Sequence, residues 1–493
     1  MAEEDSHLVQ ERRAKVEKLR REGHEPYPWN FEGRVPLSAV AEAVIALPPG
    51  AADAAHSFRV AGRIVAIRSH GRTSFIDLED RSGGLQLLLR PDTMGEESYN
   101  YWLAMIDPGD IVGADGRAAR SRRGEPSVEV QHLHVLAKAL APPPEKFHGL
   151  KDPEDRIRRR YVDLLSSVES RARFAARTAL VTEVRRFLSE REFLEVDTSV
   201  LGPVASGATA APFVTWSNYL DAEVQLRIAL ELPLKRLLVG GLERVYEIGP
   251  CFRNEDLDST HSPEFRMLEL YWAYADYRDM QRMVQDLYVR LAQHVATLLP
   301  SLPSAAEAPE FFRPPFAVVD FVDELEERSG ITDILGKDVD QLRGLARGIG
   351  ATVPDSSPAG RFLDKLFEHF VEPHLERPTF VMDFPETTTP LAKRHRDRDG
   401  RVERFEVFCR GYEVGNAYTE LNDADEQERR FRTQFQGGPE DTYRYDADFV
   451  EALRFGMPPA TGFGVGIERL MMAVTGIPSI KDVILFPLVR ERT

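Results

Sequence analysis

Residues 405–423 read FEVFCRGYEVGNAYTELND and predict two strands joined by a two-residue turn at 410–411. This turn pairs Phe408 with Glu413. Because side chains alternate along a strand, Glu406 lies on the same face as Phe408 and therefore near Glu413. Two carboxylates held close together repel each other unless a cation lies between them. The pair suits Mg2+, although an acidic hairpin that faces water would show the same pattern.

The composition describes a large and acidic protein. The chain has 493 residues and a formal net charge of -17, with 42% hydrophobic and 29% charged residues. These values predict several domains with a substantial core. The acidity disfavours general binding to nucleic acid. Residues 11–22, however, predict a helix with an excess of basic side chains. This helix is either a solvated surface or an arm that contacts phosphates.

The cysteine content and the N-terminus indicate the compartment. Two cysteines, Cys251 and Cys409, cannot form a disulfide framework or a cysteine-rich zinc site. A reducing, cytoplasmic setting is the simplest expectation. The N-terminus has no apolar segment typical of a signal peptide, and the chain has no apolar run of about 18 residues. We therefore expect a cytoplasmic protein without a membrane span.

Residues 57–137 predict five short strands, with a hairpin turn at 80–84 and a helix at 97–106 between the third and fourth strands. This order is typical of the OB-fold, which binds oligonucleotides on one face. Such a face uses aromatic stacking and polar contacts to base edges. The side chains that would serve there are Phe75, Gln86 and Glu125.

Three consecutive prolines after this region predict a linker, because proline enters neither a helix interior nor a central strand. Helical and extended segments follow as far as the C-terminus. The predicted division is a helical extension at 1–55, an OB-fold domain at 56–140, a linker at 141–155 and a large domain at 156–493, with a helical insertion at about 321–375.

Two short segments of the large domain are suited to binding a nucleotide. FRNE at 252–255 lies on a predicted strand, and a polar loop follows it. GFGVGIER at 462–469 predicts a glycine-rich strand that runs into a helix, where the missing Cβ atoms would let a ligand lie flat. The groups that these segments and the loop provide are Arg253, Glu255, His261, Phe265 and Arg469.

Together with ELPLKRLLVGG at 231–241, MLELYWAYADY at 267–277 and the hairpin, these segments resemble the class II aminoacyl-tRNA synthetases. The resemblance is closest to the lysyl-tRNA synthetases of the bacterial type. FRNE with HSPEF resembles the second class II motif, and GFGVGIER resembles the third. The resemblance covers nearly the full chain. It implies an α+β fold in which an N-terminal OB-fold β-barrel precedes an antiparallel sheet flanked by helices.

The resemblance implies a lysine–tRNA ligase that uses ATP, L-lysine, tRNA(Lys) and Mg2+. It also implies a homodimer formed through residues 169–202. The implied catalytic residues are Arg253 and Arg469. The implied ATP-binding residues are Arg253, Glu255, His261, Phe265, Glu406 and Arg469. The implied lysine-binding residues are Gly207, Glu231, Glu269, Tyr271, Asn416 and Glu420. The implied metal ligands are Glu406 and Glu413, and the implied anticodon contacts are Phe75, Gln86 and Glu125.

The chain departs from the residues usual in this family at several positions, which are Ser199, Ala211, Leu230, Pro233, Thr260, Ser262 and Tyr418. Two alternatives therefore stay open. The first is a specialised copy that activates lysine but delivers it to another acceptor or makes a nucleotide signal. The second is a non-catalytic tRNA-binding or regulatory protein. A synthetase for aspartate or asparagine is disfavoured, because those substrates need a basic pocket and this chain offers Glu269 and Glu420.

Overall fold

The structure is a computed structural model. It describes residues 7–144, 150–204, 207–208, 210–255, 257–434 and 446–490. The chain forms two compact units, which divide between Ser167 and Val168. No helix of the described ranges is long and apolar enough to cross a membrane.

The N-terminal unit is built on a closed five-stranded barrel with the strand order β1-β2-β3-β5-β4. Its elements are α1 (His7–Arg21), α2 (Leu37–Ala43), β1 (Ala52–His70), β2 (Thr73–Asp80), β3 (Gly83–Leu89), α3 (Pro91–Met94), α4 (Glu96–Met105), β4 (Ile111–Arg120), β5 (Pro126–Ala137), α5 (Pro153–Arg158) and α6 (Arg160–Ser166). The five predicted strands and the helix between the third and fourth are confirmed. Along β2, buried and partly exposed side chains alternate, as expected of a strand that faces a barrel core on one side.

The basic N-terminal helix packs against this barrel. Val16 and Leu19 of α1 are buried. The Arg12 guanidinium is also buried and donates to the carbonyl oxygen of Ala139 at 2.6 Å. The Lys15 ammonium lies 2.7 Å from the Asp107 carboxylate. At least these two basic side chains therefore stabilise the N-terminal unit. The sequence predicts either a solvated surface or an arm that contacts phosphates, and neither includes this role.

The C-terminal unit contains an eight-stranded sheet with the order β12-β13-β14-β15-β16-β11-β10-β6, and a separate three-stranded sheet with the order β7-β9-β8. Its strands are β6 (Leu194–Glu195), β7 (Leu201–Gly202), β8 (Val214–Ser217), β9 (Ala222–Leu226), β10 (Arg244–Phe252), β11 (Glu264–Ala273), β12 (Ala317–Asp320), β13 (Thr379–Met382), β14 (Arg404–Cys409), β15 (Tyr412–Thr419) and β16 (Ala460–Gly466).

The predicted antiparallel sheet needs a correction, because the large sheet is mixed. Its six central strands, from β13 to β10 in this order, pair antiparallel with one another, as predicted. The two outermost pairings, β12 with β13 and β6 with β10, are parallel. Parallel neighbours need a long crossover connection. The segment between β12 and β13, which was predicted as a helical insertion, provides one.

Helices cover both faces of this sheet. They are α7 (Val168–Ser189), α8 (Glu231–Val239), α9 (Tyr277–Leu298), α10 (Pro303–Ala306), α11 (Ala308–Phe311), α12 (Phe321–Ser329), α13 (Val339–Gly348), α14 (Ala359–Phe370), α15 (Ala424–Gln434), α16 (Ala447–Arg454) and α17 (Ile467–Thr475). One apolar cluster joins α7, α9 and α17 to the sheet. A second cluster includes residues of α8, α14 and α16 together with Tyr271, Phe408 and Tyr418 of the sheet. The predicted site residues of the central strands lie on this second face.

Candidate active site

Strand register brings separate sequence motifs into two rows across the sheet. In the first row, Glu406 pairs with Asn416, Asn416 with Gly464, and Gly464 with Glu269. In the second row, Tyr418 pairs with Gly462, and Gly462 pairs with Tyr271. Directly paired residues share a face. The hairpin, the glycine-rich strand and the segment at 267–277 therefore form one continuous surface.

A short irregularity in the hairpin produces this alignment. The predicted pairing of Phe408 with Glu413 is confirmed. The ladder then shifts by one residue, so that Val407 pairs with Gly415 and Glu406 with Asn416. Val414 is the extra residue of this bulge. Without the bulge, Glu413 and Asn416 would face opposite sides of the sheet, because they are an odd number of residues apart.

Three buried carboxylates form the predicted amino-acid pocket. Glu231 begins α8, Glu269 lies on β11, and Glu420 follows β15 directly; their exposed fractions are 6%, 4% and 1%. The backbone N–H of Leu230 donates to Glu269 at 3.0 Å, and the Tyr271 hydroxyl donates to the same carboxylate at 3.1 Å. The predicted lysine-binding glutamates and Tyr271 are thus brought together in one buried site.

Burial changes the proton affinity of these groups. It raises the pKa of Glu269 to about 7, and repulsion from Glu231 adds to this shift. Burial also raises the pKa of Glu420 to about 8. The nearby Lys235 ammonium opposes that rise, whereas Glu231 strengthens it. Buried carboxylates without enough counter-charge favour their protonated forms, so this pocket is suited to a cationic ligand.

Two side chains of this pocket were missed by the sequence reasoning. Lys235 is fully buried, and its ammonium lies 2.6 Å from Glu231 and 2.5 Å from Glu420. The Tyr418 hydroxyl donates to the Glu231 carboxylate. The four-residue spacing of Glu231 and Lys235 on a helix was the available signal for Lys235. Tyr418, like Leu230, is a position where the chain departs from the resembled family, and each provides a donor to a pocket carboxylate.

Glycines make room for the pocket. A Cβ atom on Gly462 would lie 2.4 Å from the Glu420 carboxylate oxygen and 2.4 Å from the Tyr271 ring. Gly462 therefore accommodates two pocket side chains, in addition to the flat surface that the sequence predicted. Gly207 has a positive φ of 92°, and a Cβ there would lie 3.3 Å from the Cβ of Glu231. Gly207 thus approaches the helix start beside Glu231 closely, as its predicted role requires.

Two of the predicted nucleotide-binding residues, Arg253 and Glu255, lie beyond the end of their strand. Strand β10 ends at Phe252, so the expectation that Arg253 and Glu255 lie on the strand is wrong. The Arg253 guanidinium lies 5.2 Å from the centre of the Phe265 ring and donates to the Ile228 carbonyl oxygen at 3.3 Å. The Glu255 carboxylate accepts the backbone N–H of Ala211 at 3.2 Å. The chain needs non-strand backbone here to turn into the following loop.

Arg469 joins the loop after β10 to the hairpin. Its guanidinium lies 2.8 Å from His261 Nε2 and 3.3 Å from the Glu413 carboxylate. The other ring nitrogen of His261 lies 2.8 Å from Asp258. The pKa of Asp258 is lowered to about 2: burial opposes the shift, and hydrogen bonds from Thr260 and His261 outweigh it. Three groups assigned from distant motifs, His261, Arg469 and Glu413, are therefore neighbours.

The two predicted metal ligands lie in an acidic region. Burial raises the pKa of Glu406 to about 8; the Arg404 guanidinium opposes this rise, and Glu413, Asp364 and Glu372 increase it. Arg404 forms an ion pair with Glu406 and donates to the Asn416 side-chain oxygen at 3.0 Å. No cluster of three or more acidic, histidine or cysteine ligands was found in the described part of the chain. Mg2+ commonly uses one or two carboxylates plus substrate phosphates, so the donor set at Glu406 and Glu413 fits it.

The predicted anticodon residues lie on the barrel of the N-terminal unit. Asp77 pairs with Gln86, and Phe75, two residues from Asp77, points to the same side. The Glu125 carboxylate interacts electrostatically with Arg68, which pairs with Phe75 across β1 and β2. The structure thus groups Phe75 with Gln86 and brings Glu125 close to the strand that neighbours Phe75.

Comparison with known proteins agrees with this architecture. Residues 58–136 match the family described as OB-fold nucleic acid binding domain, and residues 152–490 match tRNA synthetases class II (D, K and N). The chain is 45% identical to a lysine–tRNA ligase of Roseiflexus castenholzii over 98% of this chain and 99% of that protein. It is 47% identical to a lysine–tRNA ligase of Aquifex aeolicus over 87% of this chain and 72% of that protein. It is 42% identical to a lysine–tRNA ligase 2 of Methanosarcina acetivorans over 97% of this chain and 93% of that protein. The chain therefore belongs to the class II tRNA synthetases and, among them, to the lysine–tRNA ligase family.

Proposed function

We propose that this protein is a lysine–tRNA ligase. It joins L-lysine to ATP, which gives lysyl-adenylate and pyrophosphate, and then transfers lysine to the 3′ end of tRNA(Lys). The observation that supports this best is the buried pocket of Glu231, Glu269 and Glu420. An ammonium group leaves water only where fixed acceptors replace its hydration. Lysine presents two such groups.

We assign the ends of the substrate by the chemistry of the pocket. Glu231 and the carbonyl oxygen of Gly207 would bind the α-ammonium. Glu269, Tyr271 and Glu420 would bind the ε-ammonium. Asn416 and Arg253 would hold the carboxylate. The observed proximity of Glu231, Glu269 and Glu420 supports the assignment.

The first reaction needs no covalent bond between enzyme and substrate. An oxygen of the lysine carboxylate attacks the α-phosphorus of ATP in line, and pyrophosphate leaves with the electron pair of the broken bond. Arg253 and Arg469 would neutralise the negative charge that develops. Positioning and electrostatic stabilisation by fixed groups are sufficient for such transfers.

ATP would lie along the neighbouring part of the same surface. Glu255 would accept from the adenine amino group, and Phe265 and Arg469 would stack on the two faces of the adenine. His261 would lie near the terminal phosphates. Mg2+, held by Glu406 and Glu413, would neutralise phosphate charge.

The remaining proposals concern the binding partners and the cellular compartment. Phe75, Gln86 and Glu125 would contact anticodon bases by stacking and hydrogen bonding. A homodimer would form through residues 169–202. The two cysteines are both free and buried, which suits a reducing cytoplasm.

Amino-acid-dependent exchange between ATP and pyrophosphate tests the first reaction across the twenty amino acids. We expect exchange with lysine and charging of tRNA(Lys) from total tRNA. Exchange without charging would favour a copy that delivers lysine elsewhere. Loss of both activities in a folded protein would favour the non-catalytic alternative, and exchange with aspartate alone would overturn the assignment of the pocket.

A further inference from the structure

Lys235 is an unusual member of the amino-acid pocket, because it is a cation in a place suited to cationic ligands. Its side chain is fully buried, one helical turn after Glu231 on α8. Its ammonium contacts Glu231 at 2.6 Å and Glu420 at 2.5 Å. It also lies 5.3 Å from the centre of the Tyr418 ring. The chain thus provides one ammonium of its own to the pocket.

The charges of the pocket do not balance without a ligand. Glu231, Glu269 and Glu420 give three negative charges when ionised, and Lys235 gives one positive charge. Arg253 acts electrostatically on Glu269 but is the proposed partner of the substrate carboxylate. The excess of two negative charges equals the number of ammonium groups on lysine. Buried charges are stable only when they are paired.

Glu420 is left partly unsatisfied by this arrangement. Apart from the Lys235 ion pair, neither of its oxygens has a hydrogen-bond partner of good geometry among the described residues. One oxygen lies over Gly462, where a Cβ would clash with it. A buried carboxylate oxygen without a partner is costly, so it marks a position for a donor from the ligand.

We propose that Lys235 is a specificity-determining and positioning residue, an internal counter-cation that cancels one of three pocket carboxylates so that the site accepts an amino acid with two ammonium groups. This proposal rests on the proposed lysine activation. Lys235 acts through Glu231 and Glu420, which contact the substrate in that proposal, and it holds both of them in place.

The proposal makes lysine binding depend on pH in a defined direction. Glu231 and Lys235 of α8, Glu269 and Tyr271 of β11, and Tyr418 of β15 all act on Glu420 or its neighbours. The substrate ammonium competes with a proton for the empty pocket, so affinity falls as the pH falls through the range from about 8 to about 7. The lysine side chain stays protonated over that range. Removing Lys235 takes away the group that lowers the Glu420 pKa, and the pH range for binding moves upward.

The test uses Lys235→Met in the full-length protein, with lysine-dependent exchange measured from pH 6.5 to pH 9. We expect the KM for lysine to rise by roughly tenfold to a hundredfold at pH 7, the size of a lost charged hydrogen bond. The ratio of the lysine KM of the variant to that of the parent should decrease as the pH rises. The KM for ATP and kcat should change little. Calorimetry in two buffers of different ionisation enthalpy should show more protons released on lysine binding by the variant at pH 8.

Lys138→Met is the matched control, because Lys138 is also fully buried between two carboxylates but lies in the N-terminal unit. The KM of this variant for lysine should depend on pH as it does in the parent. A uniform rise in the lysine KM at every pH, or a parallel loss in kcat and ATP binding, would overturn the proposal for Lys235.

Two further outcomes are decisive. Lys235→Gln is the second neutral variant; if neither neutral variant shows a cooperative melting transition, Lys235 is a structural counter-ion and the proposal fails. If the parent itself neither binds lysine in calorimetry nor supports exchange, the proposed function fails first. If the parent binds lysine and the Lys235→Met variant keeps the parental pH profile of the lysine KM, only the role of Lys235 is rejected.

Discussion

Two lysines of the described residues, Lys138 and Lys235, have fully buried side chains and similar surroundings, but the carboxylates around them differ in their hydrogen bonding. Lys138 lies 2.6 Å from both Asp107 and Asp110 and donates to the Met105 carbonyl oxygen at 2.7 Å. Lys235 lies 2.6 Å from Glu231 and 2.5 Å from Glu420. Each ammonium thus bridges two carboxylates on a fully buried side chain, so the lysines alone do not distinguish the two regions.

The carboxylates do distinguish them. Asp110 accepts the backbone N–H of Ala139 at 2.8 Å with one oxygen, and that of Asp107 at 2.7 Å with the other. In the part of the chain that the structure describes, Glu420 has no such backbone donor, and burial raises its pKa to about 8. A fully satisfied buried network makes the local structure rigid, whereas a buried polar group without a partner is costly, and a ligand that pairs with it removes that cost. The difference supports the proposal that the pocket around Lys235 binds a ligand.

The largest expected effect comes from Glu420→Gln. It should lower kcat/KM for lysine by roughly two to three powers of ten, because a charged hydrogen bond of about 3 kcal/mol or more is lost. The KM for ATP should change little. Norleucine, which lacks the side-chain amine, should be rejected by the parent by about 10^4–10^5, as at other sites built around a polar group.

Asp110→Asn is the corresponding substitution in the network around Lys138 in the N-terminal unit. It should lower the melting temperature while leaving lysine activation unchanged. If Glu420→Gln activates lysine at the parental rate, or if the parent uses norleucine as readily as lysine, the pocket lies elsewhere and the contrast between the networks disappears.

Gly462→Ala should have the next largest effect. The added Cβ would lie 2.4 Å from Glu420 and from the Tyr271 ring, so both side chains must shift. Overpacking of this kind costs about 1–3 kcal/mol, and we expect the lysine KM to rise by roughly tenfold. Gly344→Ala, which meets no atom within 4 Å, is the control. Equal lysine kinetics in both variants would show that the crowded side chains do not bind substrate.

Phe75→Ala extends the comparison to the other unit. If the ring stacks on an anticodon base, the change should weaken tRNA binding by about 1–3 kcal/mol. Activation of lysine without tRNA should stay at the parental level, because Phe75 belongs to the barrel. Filter binding and exchange assays measure the two effects separately. Parallel losses in both would point to misfolding rather than to a lost base contact.

The smallest expected effect is that of Tyr418→Phe. The Tyr418 hydroxyl donates to Glu231, which also forms an ion pair with Lys235, so the substitution removes one hydrogen bond to this carboxylate and keeps the ion pair. We expect a change of about 1 kcal/mol in lysine binding, the usual net value of one hydrogen bond. Calorimetry can measure it. A loss as large as that of Glu420→Gln would mean that Tyr418, rather than Lys235, holds Glu231 in place.

Much of the fold was predictable because its signals are local. The hairpin pairing of Phe408 with Glu413 followed from the turn, and the strand–helix junction at 466–467 followed from glycines next to an apolar helix pattern. The two parallel edge pairings were missed. They join segments that are far apart in sequence, and no local pattern reports the direction of such a pair.

The predicted site residues came from motifs, whereas the missed ones required side-chain geometry. Lys235 has the spacing of an ordinary helix surface pair, and only the fold shows that it is buried against Glu420. Arg404 lies just before the predicted hairpin and belongs to none of the quoted motifs, but it contacts Glu406 and Asn416. Burial and contacts across strands depend on tertiary packing, which a single sequence does not reveal.

The bulge at Val414 has a consequence for how the chain must fold. The carbonyl oxygen of Val414 accepts a hydrogen bond from the Tyr288 hydroxyl of α9, so a helix on the opposite face holds the extra residue in place. A hairpin that closed without the bulge would keep its turn and its strands. It would, however, turn Asn416 and Tyr418 away from Glu269. The packing of α9 against the sheet therefore favours the strand register that keeps the predicted site residues on one face.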